Sequence, residues 1–179
     1  LSYYIIDDDR FGLFLLDELI HAKEKNPNLD IKILVDGSAN GLSEDIMNYT
    51  VQKGISIKEY NPLPRLIVPL SQISLSNFIQ AFKNINYRMH DKLLVVDKTF
   101  VLSGGRNVKN SYFGLDQKNF RDQDIFIDSP ILGSAAAEYF KQVWDSENSK
   151  QISTLTDRRK KKLKDREKII FYGIRNYKQ

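Results

Sequence analysis

Short strand-like runs alternate with segments of helical periodicity along most of the chain, and this alternation limits the fold more than any other feature. Runs rich in β-branched and aromatic residues favour strands, whereas apolar residues at three- and four-residue spacing favour amphipathic helices. Alternating strands and helices pack as a sheet with helices on both faces. We therefore predict an α/β/α sandwich with a mixed central sheet. The predicted strands are 3–6, 31–35, 55–60, 93–96, 100–102 and 124–127, and the predicted helices are 11–25, 43–53, 75–85 and 131–144.

Composition and charge exclude several classes of protein. The chain has 179 residues and no cysteine, so disulfide bonds and thiolate metal sites are excluded. No apolar run approaches the roughly 18 residues that a membrane-spanning helix needs. The net charge of +4 is concentrated in residues 157–168, where eight side chains are basic and three acidic. The near-neutral remainder makes a nucleic-acid partner less favoured, while the basic run suits either a solvated linker or an anionic membrane surface.

The residues that carry chemistry cluster between positions 90 and 107. His90 and Lys92 are two residues apart, so on a strand both side chains project from the same face. A neutral imidazole can attack the phosphorus of a phosphodiester, and a neighbouring ammonium neutralises the non-bridging oxygens in the transition state. Gly104 and Gly105 allow backbone N–H groups to approach a phosphate, and the Asn107 amide can donate to a phosphate oxygen. This cluster predicts a phosphodiester-binding site.

The spacing of these residues resembles the motif of the phospholipase D superfamily. The stretch reads H-x-K-x4-D-x6-G-G-x-N, from His90 through Asp97 to Asn107, and every position matches. The resemblance extends over residues 1–147. Gly-Gly-Arg-Asn and the later Phe-Arg-Asp-Gln-Asp resemble the bacterial cardiolipin synthase-like branch. The resemblance implies the α/β lobe of the superfamily and a reaction that uses no metal and no other cofactor.

The resemblance also implies roles for individual residues. His90 is expected to be the nucleophile that forms a phosphohistidine intermediate, or the acid that protonates the leaving group, and Lys92 is expected to bind the phosphate. Asn107 matches a second phosphate-binding position, and Asp97 is expected to be structural. Asp122 matches a carboxylate that hydrogen-bonds the other ring nitrogen of the histidine, which would fix the tautomer of the imidazole.

Superfamily members build their active site from two such motifs, whereas this chain contains one. Two explanations stay open. The chain is the N-terminal half of a two-motif enzyme, with 148–179 as a basic linker or the start of the second half, or two copies pair to complete the site. The segments Gly-Gly-Arg-Asn and Phe-Arg-Asp-Gln-Asp, together with the basic run, favour the first explanation.

Three functions follow from these predictions. The first is hydrolysis of a phospholipid, or transfer of its phosphatidyl group to an alcohol as in cardiolipin synthesis, at a bacterial membrane or cell envelope. The second is a homodimeric, metal-independent endonuclease. The net charge outside residues 157–168 is close to zero, which disfavours binding to nucleic acid. The third is an isolated half that binds phosphate without turnover. The sequence leaves open the headgroup of the substrate and the choice between hydrolysis and transfer.

Overall fold

A computed structural model describes residues 1–62 and 87–152. Within these ranges, seven strands form one sheet and three helices pack on it. The strands are β1 (Ser2–Tyr3), β2 (Lys32–Asp36), β3 (Ser56–Tyr60), β4 (Lys92–Val96), β5 (Phe100–Gly104), β6 (Asp124–Asp128) and β7 (Ser149–Gln151). The helices are α1 (Arg10–Lys25), α2 (Glu44–Gln52) and α3 (Pro130–Asp145).

The sheet has the order β6-β5-β4-β1-β2-β3-β7 and combines two kinds of connection. β1, β2 and β3 are parallel, and α1 and α2 connect them in turn. β4, β5 and β6 are antiparallel neighbours, and β4 pairs antiparallel with β1. The short central strand β1 therefore joins a parallel half to an antiparallel half, which confirms the predicted mixed sheet.

The two faces of the sheet bury separate apolar clusters. Ile33 and Val35 of β2 pack in one cluster with Leu16 of α1 and with residues of α2. Leu34, which points to the opposite face, packs in a second cluster with Trp144 of α3. Because successive strand residues face opposite ways, one continuous apolar strand supplies both cores. The predicted α/β/α sandwich is confirmed.

The helix boundaries follow from capping residues in the sequence. The Asp9 carboxylate accepts a hydrogen bond from the Gly12 N–H at 3.1 Å and caps the start of α1, and Asn26 caps its other end after Lys25. Ser129 precedes α3, and Pro130 occupies its first position, where a missing N–H has no cost. None of the described helices is long and apolar enough to cross a bilayer.

Strand β7 is absent from the sequence predictions. Ser149–Gln151 pairs antiparallel with residues 58–60 of β3, and the following Ile152 is buried. Three polar residues show no apolar alternation, so only their tertiary pairing reveals the strand. The sheet therefore continues to residue 151, and the division of the chain after residue 147 stays a prediction. The predicted helix 75–85 and the basic run 157–168 lie outside the described residues.

Candidate active site at the histidine–lysine strand

The histidine–lysine pair lies where β4 begins, beside the central strand β1. Lys92 is the first residue of β4 and faces Tyr3 in the antiparallel ladder. The Tyr4 N–H donates to the Asp91 carbonyl at 2.8 Å, which continues the pairing towards the histidine. His90 immediately precedes this pairing, so sheet hydrogen bonds hold the backbone next to it, a rigid support for a functional side chain.

The carboxylate of Asp36 fixes the segment that leads into the histidine. It is fully buried at the end of β2. One oxygen accepts from the Ser38 N–H at 2.9 Å and lies 3.4 Å from the Arg88 guanidinium. The other oxygen accepts from the Met89 N–H at 3.2 Å. Because a buried charge requires such partners, the carboxylate ties β2 to the backbone immediately before His90.

The side chains of His90 and Lys92 are in direct contact, as their spacing predicts. The Lys92 Nζ lies 2.9 Å from His90 Nδ1 and 3.2 Å from Nε2, and donates to the His90 carbonyl at 3.0 Å. Lys92 is buried, whereas His90 is exposed. Burial lowers the pKa of Lys92, and the carboxylates of Asp122 and Asp91 oppose this effect. An ammonium beside an accessible imidazole can neutralise a phosphate that the ring approaches.

The ring of Tyr4 packs against this pair. Its centroid lies 4.5 Å from the centroid of the His90 ring and 5.4 Å from the Lys92 Nζ, which is a cation–π distance. In the sequence, Tyr4 is only one residue of the first predicted strand and carries no functional signal of its own. Its position beside the start of β4 becomes visible only once the antiparallel pairing of β1 with β4 is known.

An open pocket of about 410 Å³ adjoins the pair. The hydroxyl of Tyr139, on α3, donates to the Asp91 carboxylate at 2.9 Å and joins the helix to the motif strand. Burial and the contact with Asp91 raise the pKa of Tyr139 to about 12, so the hydroxyl remains a donor at neutral pH. The pocket reaches the exposed imidazole, so an anion has access to it. It is lined by His90, Asp91, Lys92, Leu93, Ser103, Gly104, Ala136 and Tyr139.

Asp122 approaches the site because position 105 is a glycine. A Cβ on Gly105 would overlap the Asp122 carboxylate. This carboxylate acts electrostatically on Lys92 and accepts from the Gln123 N–H at 2.9 Å. Among residues 1–62 and 87–152, no hydrogen bond joins Asp122 to His90, whose ring nitrogens face the lysine instead. The pairing of Asp122 with the imidazole stays a prediction.

Gly104 serves the close approach of β6 to β5. A Cβ at this position would overlap the Gln123 carbonyl and the Asp124 side chain. The Gly105 N–H donates to the same Gln123 carbonyl at 3.1 Å, so it is engaged within the protein. The Asp124 carboxylate in turn accepts a hydrogen bond from the Arg106 guanidinium at 2.8 Å. The glycine pair therefore accommodates Asp124 at the start of β6 and the two residues before it. A phosphate contact through the N–H groups of the pair stays a prediction.

Asn107 is buried, and both ends of its amide are used within the protein. Oδ1 accepts from the Ile5 N–H at 3.2 Å, and Nδ2 donates to the Tyr112 hydroxyl at 3.1 Å. Asn107 does not line the pocket around the histidine. Because an amide nitrogen carries two N–H donors, phosphate binding would use the second one. The structure thus shows a supporting contact, and the phosphate-binding role stays a prediction.

Asp97 lies at the opposite end of β4 from the histidine. Asp97 and Lys98 have φ values of 51° and 54°, and the Thr99 N–H donates to the Val96 carbonyl at 3.0 Å. Positive φ at both central residues is the pattern of a type I′ hairpin turn, and aspartate tolerates it better than most residues. This position agrees with the structural role expected for Asp97, and the turn joins the predicted strands 93–96 and 100–102 as an antiparallel pair.

The second histidine of the chain lies apart from the pocket. His21 and Lys23 repeat the two-residue spacing, but on α1, where residues two apart do not face each other. The His21 Nδ1 lies 3.1 Å from the Asp17 carbonyl. The Lys23 ammonium donates to the carbonyls of Pro27 and Leu29 at 2.8 and 2.7 Å. Both side chains are therefore structural contacts of the helix end.

The sequence of this chain is similar to known proteins over most of its length. Residues 1–144 match the family model described as cardiolipin synthase, PLD-like domain. Cardiolipin synthase C of Escherichia coli K12 is 28% identical over 168 residues, which are 93% of this chain and 34% of that protein. Cardiolipin synthase 2 of Staphylococcus epidermidis is 28% identical over 162 residues, which are 88% of this chain and 30% of that protein. The chain spans about a third of the length of these relatives.

The fold is shared with a solved structure. It is described as a phospholipase D family member, Nuc from Salmonella typhimurium, and superposes with a TM-score of 0.56. The match covers 86% of this chain and 79% of that chain at 20% sequence identity. At this identity the similarity supports the α/β architecture alone.

Proposed function

The chain belongs to the phospholipase D superfamily, in the family of cardiolipin synthase-like domains, and from this premise we propose that it carries half of the active site of a bacterial phospholipid-processing enzyme. The proposed reaction cleaves a phospholipid phosphodiester and transfers the phosphatidyl group to an alcohol or to water. The observation that supports it is the Lys92 ammonium, 2.9 Å from an exposed His90 imidazole beside an open pocket. This pair offers a nucleophile and a cation to one phosphate.

The proposed reaction has two displacement steps. In the first, a ring nitrogen of His90 bonds to phosphorus while the bond from phosphorus to the headgroup oxygen breaks. The headgroup oxygen takes a proton from an acid, and the phosphatidyl group remains on the imidazole. In the second step, an alcohol or a water molecule attacks phosphorus, and the bond from phosphorus to the imidazole breaks. The attacking hydroxyl gives its proton to the conjugate base of the acid that acted in the first step. Lys92 stabilises the charge of the non-bridging oxygens in both steps.

The acid for headgroup departure requires a second contributor. Of the two histidines in the sequence, His21 is held on α1, so the chain supplies one imidazole to the pocket. Because the chain spans about a third of its relatives, we propose that a second motif lies in the remaining part of the full-length protein. Pairing of two copies of this half is the alternative. The downstream sequence of the intact gene product distinguishes them.

We also propose that the enzyme works at a bacterial membrane surface. A phospholipid substrate resides in a bilayer, and the basic run 157–168 carries a net charge suited to anionic lipid headgroups. Each basic residue near such a surface contributes about 1 kcal/mol to binding. Co-sedimentation of the full-length protein with phosphatidylglycerol vesicles, but not with phosphatidylcholine vesicles, is the expected result.

An assay of the full-length protein with phosphatidylglycerol vesicles in EDTA tests the function. Transfer gives cardiolipin and glycerol, and hydrolysis gives phosphatidate and glycerol, all of which mass spectrometry identifies. His21→Asn is the matched control for His90 variants and is expected to retain activity, because His21 lies on α1. Absence of both products together with metal-independent cleavage of plasmid DNA would instead identify the endonuclease.

Replacing Lys92 by alanine is expected to lower kcat/KM by roughly 10²- to 10³-fold, because the phosphate loses its main cation.

Burial lowers the pKa of Lys92 below the usual 10.5. The wild-type kcat/KM should therefore fall as pH rises through this lowered pKa and the ammonium loses its proton. In Lys92→Arg the guanidinium stays charged, so the alkaline limb should move to higher pH. An alkaline limb unchanged in Lys92→Arg would show that another group controls it.

A further inference from the structure

The ring of Tyr4 contacts both members of the histidine–lysine pair, and we propose that Tyr4 is a positioning residue that holds them in their reactive arrangement. This inference rests on the proposed function, since it assigns a role at the same site. The Tyr4 and His90 ring centroids are 4.5 Å apart, with 51° between the ring planes. The Lys92 Nζ lies 5.4 Å from the Tyr4 centroid. One aromatic ring thus contacts both the nucleophile and the phosphate-binding cation.

Tyr4 is a rigid platform because its backbone is fixed on both sides. Its N–H donates to the Asp91 carbonyl at 2.8 Å. The N–H of the next residue, Ile5, donates to the Asn107 side chain at 3.2 Å, and the preceding Tyr3 is buried. The point from which the ring projects is therefore fixed, and the ring itself packs on the His90 imidazole. It can therefore restrict the rotamers of an exposed imidazole that packs against it.

The face of the ring also acts on the charge of Lys92. Burial removes water from the ammonium and thereby lowers its pKa. The negative face of an aromatic ring attracts a cation within about 6 Å, which favours the charged form and offsets part of this desolvation. Tyr4 thus helps to keep the lysine protonated as well as in place.

Packing of the apolar core does not explain this ring. Tyr4 is only partly buried and belongs to neither of the two apolar clusters on the sheet faces. Over residues 1–62 and 87–152, its hydroxyl forms no hydrogen bond with another group of the protein. The contacts with His90 and Lys92 are made by the ring, so phenylalanine should replace Tyr4 while an aliphatic side chain should not.

Variants of the full-length protein test this role by kinetics on phosphatidylglycerol. Tyr4→Phe keeps the ring and should match the wild-type kcat. Tyr4→Leu removes it and should lower kcat by about 10- to 100-fold with little change in KM, because the imidazole is no longer held in line. Tyr87→Leu is the matched control, since Tyr87 is 71% exposed in the segment that precedes His90, and its replacement is expected to leave kcat unchanged.

The pH profile separates positioning from support of the fold. In Tyr4→Leu the loss of the ring lowers the pKa of Lys92 further, so the alkaline limb of kcat/KM should move to lower pH, while Tyr4→Phe leaves it in place. A residue that only supported the fold would lower the Tm without moving this limb. Wild-type behaviour of Tyr4→Leu would overturn the proposal. Equal losses in the Phe and Leu variants would also overturn it, because the hydroxyl would then be the active group.

A measurement without turnover keeps this inference separate from the proposed function. The Tyr4 ring current should shift the Cε1 proton resonance of His90, which is assigned by its loss in His90→Asn. The shift should persist in Tyr4→Phe and disappear in Tyr4→Leu. If it does so in a protein that processes no phospholipid, the proposed function fails and the ring contact stands. If the shift is the same in all three while the enzyme is active, the contact fails and the function stands.

Discussion

Replacement of His90 by asparagine in the full-length protein is expected to lower turnover by roughly 10⁴-fold or more. Asparagine is planar and polar, but its amide nitrogen cannot form the covalent bond to phosphorus. The fold should be unaffected, because the His90 side chain is exposed and its contacts are with Lys92 and Tyr4 at the site. Lost turnover with an unchanged Tm would show that the substitution affects the reaction and not the stability of the fold.

The proposed covalent intermediate offers a second way to test the same substitution. Wild-type protein mixed with phosphatidylglycerol that carries radiolabelled phosphorus, then quenched in alkali, should retain the label, and acid should release it, as expected for phosphohistidine. His21→Asn should behave like the wild type, whereas His90→Asn should retain no label. A label retained without turnover in His90→Asn would identify His90 as the acid. Normal labelling and normal turnover would contradict any role for His90 in the reaction.

Much of the fold could be predicted because its signals are local. β2 and α3 each carry an apolar pattern of the right period, and Ser129 with Pro130 indicates where α3 begins. β7 lacks such a pattern. Ser149–Gln151 forms a strand because the edge of β3 offers backbone partners and Ile152 is buried beside it. Pairing of this kind depends on elements far apart in the chain, which no short window of sequence contains.

The site shows the same division between local and distant information. The two-residue repeat of a strand predicts that His90 and Lys92 share a face. The structure shows the two side chains in contact, with His90 just before the start of β4 at Lys92. The fully buried Asp36 holds the backbone before His90, and the ring of Tyr4 packs on the pair itself. Both contacts join residues far apart in the chain, so their sequence neighbours do not reveal them. The glycine pair indicates that something approaches closely, but not whether it is a phosphate or a carboxylate of the protein.

The two glycines are expected to fail in different ways when each is replaced by alanine. A Cβ on Gly104 would overlap the Gln123 carbonyl and the backbone of Asp124. Backbone atoms of a paired strand can yield only if β5 and β6 move apart, so Gly104→Ala should lower the free energy of unfolding by roughly 1–3 kcal/mol or more. Urea denaturation of the full-length protein measures this loss. Stability equal to the wild type would show that β6 is not held so closely.

Gly105→Ala should instead preserve stability and lower activity, by roughly 10- to 100-fold. The overlapping group here is the end of the Asp122 side chain, which can rotate away and leave the fold intact. Rotation removes its negative charge from the surroundings of Lys92. If Gly105 acts through this carboxylate, Asp122→Asn should have a comparable effect, and the double variant should be no worse than either single one. Additive losses would mean that the two residues act independently, as a phosphate contact through the Gly105 backbone would require.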